Sequence, residues 1–347
     1  MVSPSASPHR SEIRSDRLRA RLAPLIAIVA LIVALLLAVA LGPVRLDLGK
    51  ITRTLLGMHG GLVNTDRTIL LDLRLPRVVL AALVGAALAA SGSAYQSVFR
   101  NPLADPYLLG VAAGAGLGAT IAFIGRDPGV TPSVPIFAFF GGVVAVAFTL
   151  LIAGRRAHDP PTILLAGIAF GAFATAIQTY LQQRNSAVLR PVYSWILGQL
   201  NGAGWSAVID VAPYILLSLI ALHLLSRRMD ALLLSDDEAR SLGVNPARLR
   251  MMVIVVATLA TSTAVAASGL IGFVGIVVPH LIRSLTHQAT SRAITTIAIA
   301  GAAFLVLADL GGRTIVAPAE LPIGVITAFV GAPFFLFVLR TRGRGLV

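Results

Sequence analysis

The chain alternates long apolar runs with short polar connectors along almost its whole length. Because a helix needs about 20 apolar residues to cross a hydrocarbon layer about 30 Å thick, such runs predict membrane-spanning helices. Runs bounded by charge, proline and glycine cover residues 24–41, 78–96, 108–124, 134–152, 162–181, 211–225, 249–268, 270–285, 293–310 and 323–339. The sixth and eighth runs are short, so the pattern alone supports eight to ten spans, and we predict ten.

The composition supports this assignment. Hydrophobic residues make up 56% of the 347 residues, charged residues only 12%, and the mean hydropathy is +0.86. Soluble domains carry about a quarter charged residues, so this chain lacks the polar side chains that would cover a water-facing surface. Without cysteine it has neither disulfides nor thiolate metal ligands. We therefore predict an all-α, polytopic membrane protein.

The basic residues indicate how the chain is oriented. Its 28 Lys and Arg against 15 Asp and Glu give a net charge of +13, which in a soluble protein would suggest nucleic acid. In a membrane protein the excess is an orientation signal, so the expected surroundings are lipid and no nucleic acid. An even number of spans places both basic termini on one side, the cytoplasm. This divides the chain into a cytoplasmic tail (1–23), a membrane domain (24–339) and a second cytoplasmic tail (340–347).

One basic cluster does not fit the orientation rule. The segment between the first two spans lies outside by this topology, yet it contains Arg45, Lys50, Arg53, Arg67, Arg74 and Arg77. An external cluster of this kind suggests a function other than topology.

The N-terminus also has an alternative interpretation. Several arginines, an apolar run and the small-residue sequence Ala38-Val39-Ala40 imitate a secretory signal peptide. The run exceeds the usual core of about 7–15 residues in such signals, so we expect the segment to be retained as a true span. Intact-mass measurement of the purified protein tests this.

Enzymatic chemistry has no visible basis in the sequence. There is no H-E-x-x-H, no G-x-S-x-G and no pair of mid-span carboxylates, so we expect no catalytic residue, no metal site and no cofactor. Ser91 and Ser268 precede glycines inside apolar runs, where close helix packing explains them. The only lysine, Lys50, lacks the flanking residues of a phosphate-binding loop, because Val44 and Ile51 stand in place of glycine and a hydroxyl residue. ATP-driven transport would therefore need a separate ATPase.

Two connectors carry strong local signals. Residues 101–106 hold two prolines together with Asn and Asp, which predicts a rigid cytoplasmic turn or, equally, a plain helix breaker. In 235–248, Ser235 and Glu238 have the spacing of a capping box, Gly243 is a natural helix stop, and Asn245-Pro246 restarts a helix. We predict two short helices joined by a tight turn on the cytoplasmic face, where they dock a soluble partner rather than act as a passive connector.

A polar stretch ends the fifth span. Amides are costly in lipid and usually face a wet cavity or another helix. Gln178 could bond a neighbouring helix, but the polar residues that follow it suggest the mouth of a cavity. The predicted pathway residues are Gln178, Gln182, Gln183, Arg184 and Asn185. The segment then continues as a polar loop to Arg190 and Trp195.

Several segments together resemble the FecCD family of binding-protein-dependent ABC importer permeases. The matching stretches are RLPRVVLAALVGAALAASG, NPLADPYLLGVAAGAGLGA, LLAGIAFG, EARSLGVNPARLR, GFVGIVVPHLIR, LADLGGR and ELPIGVITAFVGAPFF, spread from about Arg74 to Leu339. The resemblance implies a type II ABC importer permease fold in the bacterial inner membrane. It also implies a homodimer, two ATP-binding cassette subunits and an extracytoplasmic substrate-binding protein.

The resemblance also assigns roles by motif. It implies binding-protein docking by Arg74, Arg77 and Arg313, and a cytoplasmic gate at Asn101 and Leu103. It implies ATPase coupling through Ser235, Glu238, Ala239, Leu242, Gly243, Val244, Asn245 and Pro246. The chain departs from many relatives at Trp195-Ile196-Leu197-Gly198-Gln199, near the expected pathway.

The expected function is import of an iron chelate by alternating access, and the favoured cargo is a ferric siderophore. The alternatives are haem or cobalamin import by the same kind of permease, or, in another class, a secondary transporter that works alone.

Overall fold

The computed structural model describes residues 9–42, 44, 46–58, 60–125, 134–156, 159–286 and 288–342. Regular structure in these ranges is helical, which confirms the all-α prediction. The α-helices of the described part are α1 (His9–Ala40), α2 (Leu48–Leu55), α3 (Asn64–Thr68), α4 (Leu75–Val98), α5 (Val111–Ile124), α6 (Val134–Ala153), α7 (Pro160–Arg184), α8 (Leu189–Ile196), α9 (Trp205–Met229), α10 (Asp236–Ser241), α11 (Pro246–Ser268), α12 (Val274–Thr286), α13 (Thr290–Thr314) and α14 (Ile323–Arg342). Residues 1–8 and 343–347 of the two predicted tails lie outside the described residues, and the rest of each tail is helical.

Each of the ten predicted spans corresponds to a helix, although the bounds differ. Seven helical stretches of the described chain are long and apolar enough to cross a membrane. The other spans correspond to shorter apolar helices, namely α5, α12 and Ile323–Val338 within α14. The predicted polytopic architecture is therefore confirmed.

The sixth span is longer than predicted. The run 211–225 lies inside α9, which has 25 residues. Asp210 and Arg227 shortened the apolar run in the sequence, but both lie within the helix. Polar residues near the ends of a spanning helix reach the membrane interface and do not terminate it.

Other spans also begin at residues different from those predicted. The third was predicted from residue 108, but α5 begins at Val111, after Gly110 with a φ of 84°. The second continues a helical stretch of 35 residues that starts at Asn64 and passes through a wide π-helical turn, Ile69–Arg74, into α4. The eighth was predicted from residue 270 but begins at Val274. Gly269 and Phe273 have φ angles of 70° and 69°, so the backbone between α11 and α12 cannot continue either helix.

Some segments without an apolar span also contain short helices. The predicted polar loop after the fifth span contains α8, and the segment between the first two spans contains α2. Asp47 caps α2 by accepting a hydrogen bond from the backbone N–H of Lys50, at 2.9 Å. The prediction of a loop at 189–196 was therefore wrong.

Helix α4 forms the centre of the bundle, and small residues let its neighbours approach closely. A Cβ atom on Gly85 would lie 2.3 Å from the carbonyl oxygen of Gly301, and one on Gly92 would lie 2.1 Å from that of Gly275. The Ser91 hydroxyl donates to the carbonyl of Ala257 at 3.2 Å. These contacts pack α4 against α13, α12 and α11, as expected for helices that associate through small residues in lipid.

The ends of α4 define two ends of the bundle. With 24 residues, α4 spans about 36 Å. Arg77 lies in its first turn, and Arg100 follows its last residue by two positions. We name these regions the Arg77 end and the Arg100 end.

Candidate functional site

At the Arg77 end, two carboxylates hold one arginine. Arg77 donates from Nε to Oδ1 of Asp309 at 2.9 Å. Its Nη1 and Nη2 donate to the two carboxylate oxygens of Glu320, each at 3.0 Å. A bidentate, charge-assisted pair of this kind fixes the guanidinium plane. The side chain of Glu320 is 34% exposed, so this pair reaches the surface of the bundle.

The other two predicted docking arginines lie deeper. Arg313 is 3% exposed and pairs with Asp309, Nε to Oδ2, at 3.0 Å, while its Nη2 donates to the carbonyl of Ala38 at 3.1 Å. Arg74 is also buried and donates to the carbonyls of Val39, at 2.7 Å, and Ala40, at 3.2 Å. Both arginines thereby bind carbonyl groups at the C-terminal end of α1, which the helix itself leaves unpaired.

The three arginines line one groove. Its volume is about 460 Å³, and it is lined by Val44, Ile69, Asp72, Leu73, Arg74, Arg77, residues 200–204, Arg313 and Glu320. The structure therefore brings together the three predicted residues, two from one motif and Arg313 from another. Arg77 and Glu320 form the exposed part of the group, while Arg74 and Arg313 join α1 to the bundle.

At the Arg100 end, the connector between α9 and α11 has the predicted caps. The backbone N–H of Ser235 donates to Oε2 of Glu238 at 2.9 Å, and the N–H of Glu238 donates to Oγ of Ser235 at 3.2 Å. Together they complete the capping box at the start of α10. The acceptor role of the Glu238 carboxylate lowers its pKa below the ordinary value.

The end of α10 also follows the sequence signal. Gly243 has a φ of 76°, the left-handed conformation that glycine adopts readily, and the N–H of Val244 donates to the carbonyl of Ala239 at 3.0 Å. Ala239 is buried, whereas Leu242 is 64% exposed. The connector therefore presents an apolar side chain on its outer face.

The prediction of two short helices in this connector was wrong in its second half. Asn245 accepts a hydrogen bond from the N–H of Arg248 at 3.0 Å, which is the expected cap. Pro246 then begins α11, which continues for 23 residues into the seventh span. The cap-then-proline signal marks a helix start, but it carries no information about helix length.

Asp236, the first residue of α10, contacts two arginines that the sequence did not single out. Oδ1 accepts from Nη2 of Arg100 at 2.7 Å and from Nη2 of Arg250 at 2.7 Å, and Oδ2 accepts from Nη1 of Arg250 at 3.3 Å. Arg250 is only 1% exposed. Hydrogen bonds from Arg250 and Arg100 lower the pKa of Asp236 to about 2. A sequence signal existed for Arg250, because an arginine inside the apolar start of a span needs a partner.

The predicted gate residues lie on a braced turn between α4 and α5. Oδ1 of Asn101 accepts from the N–H of Leu103 at 2.9 Å, and Oδ1 of Asp105 accepts from the N–H of Tyr107 at 2.8 Å. The Tyr107 hydroxyl donates to the carbonyl of Ile271 at 3.0 Å, which ties the turn to the segment between α11 and α12. Asn101 and Leu103 are both partly exposed.

The predicted pathway residues separate into two groups. A groove of about 570 Å³ is lined by Asp105, Tyr107, Leu108, Gly110, Ala112, Ala113, Gly167, Ile168, Gly171, Thr175, Gln178, Thr179, Gln182, Ile196 and Leu270. Gln178 and Gln182 thus face the same space as the turn after α4. Gln183 is exposed, Arg184 stacks on the ring of Tyr180 at 5.9 Å, and Asn185 donates to the carbonyl of Leu181 at 2.9 Å. These three do not line the groove.

The helical bundle and its polar ends define a multi-pass inner-membrane protein with the fold of an ABC importer permease. The family model described as the FecCD transport family matches residues 30–341, and the chain belongs to that family. It is therefore a permease subunit of an ABC importer, of the type that includes iron-chelate, haem and cobalamin permeases.

Similar proteins cover most of the chain. The cobalamin import system permease protein BtuC of Halobacterium salinarum is 38% identical over 81% of this chain and 76% of its own length. The Fe(3+)-citrate import system permease protein YfmE of Bacillus subtilis is 34% identical, covering 88% of this chain and 91% of its own. A solved chain, described as an inward-facing conformation of a transporter of the metal-chelate type, superposes with a TM-score of 0.82 at 27% identity, over 92% of this chain and 98% of its own.

Proposed function

We propose that this chain is the membrane-spanning subunit of a binding-protein-dependent importer that moves an iron chelate, most suitably a ferric siderophore, into the cytoplasm. Alternating access would be powered by a separate ATPase, since the sequence has no phosphate-binding loop of its own. The observation that carries the proposal is the family match over residues 30–341. The ferric-citrate permease that covers 88% of the chain favours iron chelates, while the cobalamin permease of similar identity makes cobalamin the first alternative.

The Arg77 end would be the extracytoplasmic docking surface. The groove beside Arg74, Arg77 and Arg313 supports this assignment, because Arg77, the most exposed of the three, would offer its guanidinium to an acidic group on a delivery protein. The carboxylate of Glu320 already accepts hydrogen bonds from both Nη atoms of Arg77. An acidic side chain of the delivery protein would have to compete with Glu320 for that guanidinium.

The Arg100 end would then face the cytoplasm, with both termini on that side. Helix α10 and its caps, from Ser235 to Pro246, would form the element that couples to the ATPase. The exposed Leu242 beside a rigid left-handed turn at Gly243 supports this role, because it offers a fixed apolar anchor to a soluble partner. Asn101 and Leu103, on the neighbouring turn, would form the cytoplasmic gate.

The translocation path would run along the groove that holds Gln178 and Gln182, with Gln183, Arg184 and Asn185 near its outer end. A second groove of about 630 Å³ shares Ile196 and Leu270 with the first one. Two grooves that meet at the end of α8 and at the segment between α11 and α12 suit a homodimer in which the second copy closes the path.

The test is reconstitution of the chain with its ATPase and binding protein in liposomes. Uptake of a radioiron-labelled ferric siderophore should require ATP, the ATPase and the binding protein, and labelled haem and cobalamin serve as competitors. Uptake of haem or cobalamin in place of the siderophore would contradict the proposed cargo but not the proposed ABC importer. Uptake by the chain without ATP or the ATPase would overturn the importer and favour a secondary transporter.

A further inference from the structure

The short helix α10 and the turn after α4 are joined by a direct ion pair. Nη2 of Arg100 lies 2.7 Å from Oδ1 of Asp236, and Nε of Arg100 donates to the carbonyl of Leu232 at 2.6 Å. Asp236 is the first residue of α10, and Arg100 directly precedes Asn101. The Arg100 side chain therefore joins the turn after α4 to the connector between α9 and α11.

The backbone at Arg100 is unusual for an arginine. Its φ is 49°, and the N–H of Asn101 donates to the carbonyl of Gln96 at 3.1 Å. This is the position after a helix end where glycine is most common, because a Cβ atom is disfavoured in the left-handed region. An arginine at this position indicates that its side chain has a use that outweighs the backbone strain.

The far side of Asp236 is anchored in the bundle. Arg250 lies in the first turns of α11 and is almost fully buried, and both of its Nη atoms contact Asp236. Asp236 thus connects a fixed point, Arg250, to a partly exposed one, Arg100, whose side chain is 35% exposed. Its neighbour Asp237 differs in exposure and in partner, because its side chain is 94% exposed and pairs with Arg240 on the same helix.

There is also room for this contact to move. A cavity of about 550 Å³ adjoins the ion pair and is lined by Arg100, Arg156, Asp159, Pro160, Ser235, Asp236 and Arg250. An ion pair next to open space can shift without displacing packed side chains. An ion pair in a close-packed interior could move only if its neighbours repacked.

We propose that the Asp236–Arg100 pair is the link that passes a displacement of α10 to the turn carrying Asn101 and Leu103. This inference rests on the proposed function, which makes α10 the ATPase-coupling element and the turn the gate. Arg100 and Asp236 are then positioning residues: they touch neither cargo nor nucleotide, and they set where the gate stands when α10 moves.

The decisive variant is Asp236→Asn in the complete transporter reconstituted in liposomes. Transport per ATP hydrolysed should fall by up to about fivefold, because the partly exposed contact to Arg100 loses its charge. Assembly with the ATPase and ATP hydrolysis should stay near the wild-type values, because asparagine keeps a side-chain oxygen that accepts from Arg250. Asp210→Asn is the control. It removes the same charge from an exposed position near the start of α9, outside the coupling element and without contact to Arg100, so transport per ATP should remain unchanged.

Arg100→Gly separates transmission from structure. Glycine adopts the left-handed conformation without strain, so this variant should be at least as stable as the wild type, yet it should show the same loss of transport per ATP. Arg100→Lys keeps the charge but not the fork that reaches both Asp236 and Leu232, and it should recover part of the loss.

The outcomes are distinct. Wild-type transport per ATP in both Asp236→Asn and Arg100→Gly would overturn the link. Failure of both variants to assemble with the ATPase would also overturn it, by assigning the pair a structural role. If the wild-type complex shows no ATP-driven import, the proposed function itself fails, and this is seen before any variant is compared.

Discussion

The two ends of the bundle use the same residue types in opposite ways. At the Arg77 end, Arg313 and Asp309 pair at 3% and 2% exposure, inside a cluster that holds α1, α4 and α13 together. At the Arg100 end, Asp236 and Arg100 pair at about one-third exposure, between a short helix and a turn. Breaking a buried pair leaves an uncompensated charge and costs about 3–5 kcal/mol, whereas an exposed pair contributes about 0–1 kcal/mol. The first arrangement suits a rigid platform and the second a joint that can shift.

The largest effect should come from removing the shared carboxylate of the rigid end. Asp309→Ala leaves Arg313 buried without its carboxylate and removes one partner of Arg77, so the protein should lose about 3–5 kcal/mol of stability. Thermal unfolding of the purified protein in detergent measures this loss as a lowered transition temperature. Arg100→Gly at the other end is the comparison. It breaks only the partly exposed pair with Asp236 and leaves Asp236 paired with the buried Arg250, so it should lower the transition far less. Equal shifts in the two variants would contradict the contrast between the ends.

A smaller effect is expected at the stop of α10. Gly243→Val forces a β-branched residue into a left-handed backbone at a cost of about 1–2 kcal/mol, although a Cβ atom there meets nothing within 4 Å. The strain should reshape the connector and reduce co-purification of the ATPase. Gly243→Asn is the control, because asparagine tolerates this conformation, and it should retain the complex. Full recovery of the ATPase with the valine variant would argue against a fixed turn in coupling.

A still smaller effect is expected where Glu320 covers Arg77. Glu320→Gln weakens an exposed ion pair worth up to about 1 kcal/mol, so the binding protein should bind up to about fivefold more tightly. Arg77→Gln should weaken the same binding. Titration of the binding protein onto the permease in nanodiscs gives both dissociation constants. Weaker binding in Glu320→Gln would show that Glu320 supports docking rather than competes with it.

The parts of the fold that were predictable depend on residues close together in sequence. The apolar runs gave the spans, and Ser235 with Glu238, three residues apart, gave the capping box. The length of α9 was missed because polar residues such as Asp210 interrupt a run without ending a helix.

The missed contacts join residues far apart in the chain. Arg77 and Glu320 are separated by 243 positions, and Arg100 and Asp236 by 136. A single sequence shows that charges exist near the ends of spans, but which of them pair depends on how the helices pack. Motif resemblance placed Arg74, Arg77 and Arg313 together, yet their unequal burial required the structure.

The smallest expected effect is the pH dependence of transport per ATP, which tests the Asp236–Arg100 pair. The folded-state pKa of Asp236, about 2, lies below its ordinary value of 3.8. A depressed carboxylate pKa contributes stability that is fully present above the unfolded value and is lost as pH falls through the folded one. The pair with Arg100 therefore stays intact throughout the range in which transport is measured, about pH 5.5 to 8. The ratio of transport per ATP between wild type and Asp236→Asn should be constant across that range. A ratio that approaches one at the acidic limit would mean that the link depends on a group titrating near neutrality, and that the ion pair alone does not carry the movement from α10 to the turn.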